Sequence, residues 1–437
     1  MVQKSRQVIK HFFQILLPAK VSLVRSCGLF FLLGHMHECG IANLLKNILN
    51  DHRQSSKIKY KINLVIMSIL LHILDGDLRI SQYGRNPNGA LYQKLFDNGK
   101  IPHPTTYLET LKNNPTLSRM LGEVLFQSTM QEVISACLKK RLSHIIIDVD
   151  QTARVIHGKQ QKVEKGYAAG KRNEKLYQVR VYAIHSLKLV LGIRLLPGSA
   201  HSGNGFTTEL KLIINALKKA GITALFRGDS GFESGEACDT IHEAGHWFIF
   251  AERQLSVVRK RGSKVKRKQL KMENTVELRE AVRNPGGRYE HKYREIFVRV
   301  ASTPDGQLLF DFGRDQFTNV LITNMKSAPI TVYKNYRAHA VIETIIEELK
   351  NDFGAGLAHA AEFHVNASMT VCSALAYNIK NHFVQHHRIT VHNEKVMKLS
   401  TLQALWIHTP GILARNGNIK VLRIAKERYA LFRKIAA

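Results

Sequence analysis

The sequence predicts a mixed α/β protein with one large sheet and helical flanking regions, and three observations carry that prediction. Helix-like sequence gives way at His144 to a β-branched run, residues 145–150, followed by two strands of alternating polarity. Two amphipathic helices and two short strands then alternate between residues 207 and 251. A further amphipathic helix, residues 332–351, comes only after a basic and strand-rich stretch.

Composition bounds the class. The chain has 437 residues, 44% hydrophobic and 22% charged, which is globular and excludes wholesale disorder. Its 64 Lys and Arg against 34 Asp and Glu leave a net charge of +30, which points to a polyanionic partner. Five cysteines without paired spacing exclude a disulfide scaffold. The apolar runs at 12–18, 29–34 and 62–74 fall short of the roughly 18 residues that span a bilayer. The N-terminus is basic and then apolar but has no clean cleavage site, so a cytoplasmic protein with no membrane partner is expected.

In chain order, residues 1–140 read as a helical, DNA-binding region. Residues 141–253 read as the first part of the core. Strands at 145–150, 177–184 and 187–196 precede a helix at 207–220, with Leu210, Ile213, Ile214 and Leu217 on one face and Gly221 as its stop. A strand at 224–227, a helix at 234–244 and a strand at 247–251 complete the order β-β-β-α-β-α-β. That is the order of an RNase H-like core lacking only its closing helix. Residues 254–328 read as a β insertion, with strands at 295–300, 308–312 and 319–322 and the Asp305–Gly306 turn signal. Residues 329–395 supply the closing helices, and 396–437 a basic helical tail.

Three places in this order bear chemistry. Strand alternation puts Asp148 and Asp150 on one face at the end of the first strand. Asp229 follows the fourth strand, within Arg227-Gly228-Asp229-Ser230-Gly231-Phe232. On a wheel, Tyr336, His339, Glu343, Glu347 and Lys350 share an arc of about 80°. A carboxylate from each of the first strand, the fourth strand and the closing helix would converge at one end of the sheet. Three oxygen donors suit two Mg²⁺ ions, about 3.5–4 Å apart, that activate the attacking and stabilise the leaving oxygen in phosphoryl transfer.

Other patterns read more plainly. Gly228-Asp229-Ser230-Gly231 resembles a serine-protease nucleophile loop, but the α/β order and basic charge exclude that all-β, disulfide-bonded class. An Arg-Gly-Asp adhesion role has no place in a cytoplasmic chain. His35, His37 and Cys39 alternate, yet three ligands at i, i+2 and i+4 do not converge from one helix, and His382 with His386 lack a third ligand. The first group is therefore not read as a metal site, the second reads as a polar, DNA-facing or solvated surface, and Cys27, Cys137 and Cys372 read as core. The basic run 259–271, with Lys264, Lys266, Arg267 and Lys268, reads as a phosphate contact, and Arg227 as another.

Over nearly its whole length the chain resembles a bacterial insertion-sequence transposase of the DDE class, in the group called transposase DDE domain group 1. The resemblance rests on Asp150-Gln151-Thr152, on Arg227 to Phe232, on Tyr336-x2-His339-x3-Glu343-x6-Lys350, and on Asn366-Ala367 with Leu375-Ala376-Tyr377-Asn378. It implies Asp150, Asp229 and Glu343 as catalytic, metal-binding residues, with Asp148 the alternative first ligand. It further implies two Mg²⁺ per site, Mn²⁺ substituting, and DNA-backbone contacts by Tyr336, Lys350 and the residue at His339. His339 stands where the family signature has arginine, a weaker donor to phosphate at neutral pH. Related enzymes with a β insertion often hold a flipped base on a tryptophan there. Trp247 and Trp406 lie outside this one, leaving Tyr289, Tyr293, Phe297 or Phe317.

The activity implied is cut-and-paste transposition: cleavage at the terminal inverted repeats, then attack of the freed 3′-OH on target double-stranded DNA. A homodimer on DNA and a bacterial, nucleoid-associated location go with it. The alternatives are a Mg²⁺ nuclease of the same fold that only hydrolyses, and a decayed, non-catalytic DNA-binding relative.

Overall fold

A computed structural model describes residues 22–53, 58–83, 92, 95–96, 100–140, 144–168, 171–252, 276–300, 319–389, 397–416 and 419–426. The basic run with Lys264, Lys266, Arg267 and Lys268, the Asp305–Gly306 turn, the 308–312 strand and Phe317 lie outside the described residues. No helix among the described residues is long and apolar enough to cross a membrane.

The chain forms two compact units, one of residues 1–43, 50–110 and 382–437 and the other of residues 44–49 and 111–381. In chain order the elements are β1 (Ser22–Val24), α1 (Gly28–Glu38), α2 (Ile41–Ile48), α3 (Ile62–Asp75), α4 (Pro104–Lys112), α5 (Leu117–Lys140), β2 (His144–Val155), β3 (Glu164–Ala168), β4 (Lys171–Ile184) and β5 (Leu189–Leu196). There follow α6 (Phe206–Ala220), β6 (Thr223–Gly228), α7 (Gly235–Glu243), β7 (Trp247–Ala251), β8 (Val276–Arg283), β9 (Tyr293–Val300) and β10 (Asn319–Thr323). The last are α8 (Pro329–Arg337), α9 (Val341–Asn351), α10 (Phe363–His386), α11 (Leu399–Leu402), β11 (Gly411–Asn416) and β12 (Ile419–Ile424).

The larger unit is built on a nine-stranded mixed sheet in the order β3-β4-β2-β6-β7-β10-β9-β8, with β5 also on the edge of β4. Strands β2, β6 and β7 run parallel to one another, and the other pairings are antiparallel. The expected β-β-β-α-β-α-β order is present with one unexpected strand added, β3, which pairs with the edge of β4, and the insertion strands β8–β10 extend the same sheet beyond β7. Alternation divides β2 cleanly. Ile145, Ile147 and Val149 enter a core with Phe206, Leu210, Ile213 and Leu217 of α6, whereas Ile146 joins the opposite core beneath Val332 and Tyr333 of α8. Asp148 and Asp150 share the phase of Ile146.

Three expectations need correction. The N-terminal region was expected to run to residue 140, but α5 packs in the sheet unit. Met130, Val133 and Cys137 enter its core, and the Thr129 hydroxyl donates to the Val190 carbonyl at 3.0 Å. An apolar helix face shows that a core is covered and not which one. The tail expected to be helical begins with α11 but then forms β11 and β12, which join β1 in a three-stranded antiparallel sheet. In the sequence, Gly417-Asn418 between two alternating runs is the hairpin signal for it. Finally, the helix expected at 332–351 is two helices, α8 and α9, parted by a 3₁₀ turn at Ala338–Ala340. Arg227 donates to the Asn335 carbonyl in the last turn of α8, the kind of side-chain insertion that breaks a helix.

Candidate active site

Two neighbouring parallel strands place the first two acids. Register pairs Asp148 with Arg227 and Val149 with Gly228, so Asp150 and Asp229 are the next residues along adjacent strands. Gly228 permits this approach: a Cβ there would lie 2.9 Å from Val149 and 3.2 Å from Phe250. Asp229, at the end of β6, is exposed and accepts the Gly231 N–H at 2.9 Å in an Asx-turn. Asp150 is half-buried and accepts the Gln151 N–H at 2.7 Å.

Glu343 comes from the first turn of α9, where the helix dipole favours an anion. Ile342, Ile345, Ile346 and Leu349 bury the other face of α9, so Glu343 stays exposed. Electrostatics record the convergence of the three acids. Burial, then Asp229 and Glu343, push the Asp150 carboxyl up to about 7 against the opposing Gln151 N–H. The Tyr336 phenol is likewise raised, by burial first and then by Asp229, Asp150 and Glu343. Among the described residues, no Lys, Arg or His forms an ion pair with any of the three carboxylates. Three oxygen donors sharing one place without a cation are a donor set for hard divalent ions.

Asp148 is a different kind of acid. Arg227 grips it with two bonds, Nε to Oδ1 at 2.7 Å and Nη2 to Oδ2 at 2.9 Å, and His185 Nδ1 lies 3.0 Å from Oδ2. The Asp148 and Arg227 side chains are 1% and 0% exposed. Asp148 is therefore neutralised within the protein and is not placed as a metal ligand. Arg227, expected to contact DNA, is corrected likewise: its guanidinium is buried on Asp148, His185 and the Asn335 carbonyl. The bond to Asn335 ties β6 to α8, next to the turn that orients α9.

The remaining signature residues line the same end of β2. His339 sits in the 3₁₀ turn with Nε2 3.1 Å from the Val149 carbonyl, one residue before Asp150. Burial lowers its pKa, Arg227 adds to the effect, and Asp148, the Val149 carbonyl and Asp229 oppose it. The ring is thus neutral at pH 7 and donates to the strand. Tyr336 stacks on it with ring centres 6.2 Å apart and planes within 4°. Lys350 Nζ reaches the Thr152 hydroxyl at 3.4 Å and the Ala153 carbonyl at 3.3 Å, fastening α9 along β2.

Sequence reasoning missed Arg180. Fully buried on β4, it donates to Glu209 at 3.0 Å, to the Ser202 carbonyl at 2.8 Å and to the Asn204 carbonyl at 3.0 Å. Gln151 Nε2 adds a bond to the Ala200 carbonyl at 3.0 Å. Together they hold the loop before α6 close to Gly231, where a Cβ would lie 2.6 Å from the Ser202 hydroxyl. An arginine within an apolar strand is the signal that could have found it. The motif residues Asn366 and Asn378 are structural. Asn366 bonds the turn before α10, at His359 N and the Ala360 and Glu362 carbonyls, and Asn378 joins α10 to both backbone groups of Val190. Tyr289, Tyr293 and Phe297 are at most 2% exposed, so none of them is available to stack a flipped base.

A model of the family described as Transposase DDE domain group 1 matches residues 21–433 of the chain. No curated protein matches it. Among solved structures, the cryo-EM synaptic complex of piggyBac transposase with hairpin DNA is similar over 86% of this chain and 78% of that one, at 9% identity and a TM-score of 0.43. The Mos1 transposase paired-end complex with the left transposon end is similar over 45% of this chain and 60% of that one, at 14% identity and a TM-score of 0.16. Both are distant resemblances and carry no functional weight.

Proposed function

The chain belongs to the transposase DDE domain group 1 family, and from that premise we propose that it is a cut-and-paste DNA transposase with an RNase H-like catalytic core. One observation carries the reading. Asp150, Asp229 and Glu343, from β2, the end of β6 and the start of α9, meet at one end of the sheet without a cation from the described residues, while neighbouring Asp148 has its own arginine. In this reading the three carboxylates hold Mg²⁺, two ions per site, with Mn²⁺ able to replace it. When bound, such ions activate the attacking oxygen and stabilise the leaving one.

The chain's own residues orient and bind. Glu343 reaches the site because His339 and Lys350 fasten the start and end of its helix to β2. Tyr336 and Lys350 face DNA phosphates at the rim, and the +30 charge, including Lys264, Lys266, Arg267 and Lys268, tracks the duplex. Cleavage breaks the phosphodiester at each transposon end and frees a 3′-OH. That oxygen then attacks a target phosphorus and displaces a target 3′-oxygen. Two ends must be held together, so a homodimer assembles on DNA. The smaller unit reads the terminal repeats.

A strand-transfer assay tests this reading. Full-length protein, Mg²⁺ and duplexes bearing pre-cleaved 3′-OH transposon ends should yield ends joined to target plasmid. Hydrolysis without joined product identifies a nuclease, and binding without cutting in Mg²⁺ or Mn²⁺ identifies a non-catalytic relative.

Two smaller effects follow from the site. Protons compete with metal at Asp150, so the Mg²⁺ concentration for half-maximal cleavage should rise as pH falls below about 7, by at most about tenfold per unit. The linked stability has a fixed sign. Asp150 has a folded pKa above its unfolded value of about 3.9, so the metal-free native state holds the extra proton between those values. Its contribution is full below the lower value and is lost as pH rises through the upper. Thermal melts at pH 5 and 8 with and without Mg²⁺ should show the ion helping more at pH 8. At His339, replacement by Ala should slow cleavage about tenfold, the worth of one hydrogen bond. His339→Gln, which keeps an N–H for the Val149 carbonyl, should recover most of it in the same rate assay.

A further inference from the structure

Two histidine patterns that looked unrelated in the sequence meet in the smaller unit. His35 and Cys39 stand one turn apart at the C-terminal end of α1, and His382, His386 and His387 lie at the end of α10. His35 Nε2 is 2.8 Å from His382 Nδ1. Its ring centre is 4.9 Å from that of His382, 5.6 Å from His386 and 5.4 Å from His387. The ligand atoms of His35, Cys39 and His382 all lie within 4.8 Å of one another, as do those of His35, Glu38 and His387. His37, the middle member of the His-x-His-x-Cys pattern, is exposed. The third ligand missing from each local pattern comes from the other helix.

A packed histidine pair is the plainer explanation, and it leaves something over. His35 is 2% exposed, and its Nδ1 is buried without a hydrogen-bond partner. Such a buried orphan is costly unless something occupies it. The cluster sets imidazole nitrogens, a thiol and a carboxylate close to one another. The Cys39 thiol now donates to the Met36 carbonyl at 3.8 Å.

We propose that His35, Cys39 and His382 bind one divalent transition-metal ion of the Zn²⁺ class, with Glu38 or His387 in the fourth position. Nitrogen and sulfur donors select such an ion over Mg²⁺. Binding releases the Cys39 thiol proton to solvent and forms the metal–thiolate bond without any redox change. The ion would then join α1 to the end of α10 and stabilise this unit by mass action. The site is independent of the carboxylates on the sheet.

The test uses tag-free, full-length protein. Metal analysis should find one Zn²⁺ per chain after Zn²⁺ loading and gel filtration. Protein loaded with Co²⁺ alone should show tetrahedral d–d bands and a thiolate-to-Co²⁺ charge-transfer band. Cys39→Ser should remove the charge-transfer band. His382→Gln should weaken Zn²⁺ binding by more than the roughly tenfold that even an outer-shell partner is worth. Asp150→Asn should leave the spectrum unchanged. Folded wild-type protein that retains no Zn²⁺, lacks the charge-transfer band, or gives the same spectrum as Cys39→Ser overturns the proposal.

Discussion

Replacing Asp229 by Asn should abolish Mg²⁺-dependent DNA cleavage, a loss of about a thousandfold or more, while DNA affinity stays within about twofold. The substitution is conservative in every respect but charge. Asp229 is exposed at the end of β6, and its carboxylate accepts the Gly231 N–H, which an asparagine oxygen accepts equally well. The loop should keep its shape, and thermal melts should coincide with wild type. What is lost, under the proposed function, is one anionic ligand of three. Gel-shift and nicking assays on the same preparation check both halves. Parallel loss of binding and cleavage would assign Asp229 to the fold and not to the chemistry.

Arg227→Leu should do the opposite, costing about 3–5 kcal/mol of folding stability because it strands Asp148 in the interior without its partner. Urea denaturation reads this directly. Adding Asp148→Leu should recover much of the loss, since the penalty lies in the unpaired charge and not in the missing bridge. The salt dependence of DNA binding by the folded fraction should be unchanged. A DNA-contacting arginine would instead lower the salt slope by about one and leave stability alone.

These two residues show how far the sequence could be read. Asp229 could be placed because a strand followed by Gly-Asp-Ser-Gly leaves an acid at a strand end wherever the strand packs. Arg227, two positions earlier, was misplaced because the same local pattern does not reveal that its register partner on β2 is an acid. That fact is a property of sheet pairing. Asp148 and Asp150 fell on one face as alternation requires, yet only the pairing with Arg227 separates the buried acid from the half-buried one. The helix carrying Tyr336 and Glu343 was legible from its apolar stripe. Its 3₁₀ break was not, since it accompanies an arginine more than a hundred residues away in sequence. The β-β-β-α-β-α-β order was visible because period-2 and period-3.6 patterns alternate cleanly from residue 144 to 251. The β11–β12 hairpin was lost in basic sequence whose Gly-Asn pair between alternating runs went unweighed.

The central claim is that Asp150, Asp229 and Glu343 share bound metal, and Fe²⁺-directed cleavage of the polypeptide tests it most directly. With added hydrogen peroxide as oxidant and ascorbate to return Fe³⁺ to Fe²⁺, Fe²⁺ replacing Mg²⁺ generates hydroxyl radicals that cut the backbone close to the ion. Cuts around residues 150, 229 and 343 together, suppressed by excess Mg²⁺ and absent in Asp150→Asn, are the predicted result. Folded protein that yields no cuts at these three segments, or cuts indifferent to Mg²⁺, would contradict it.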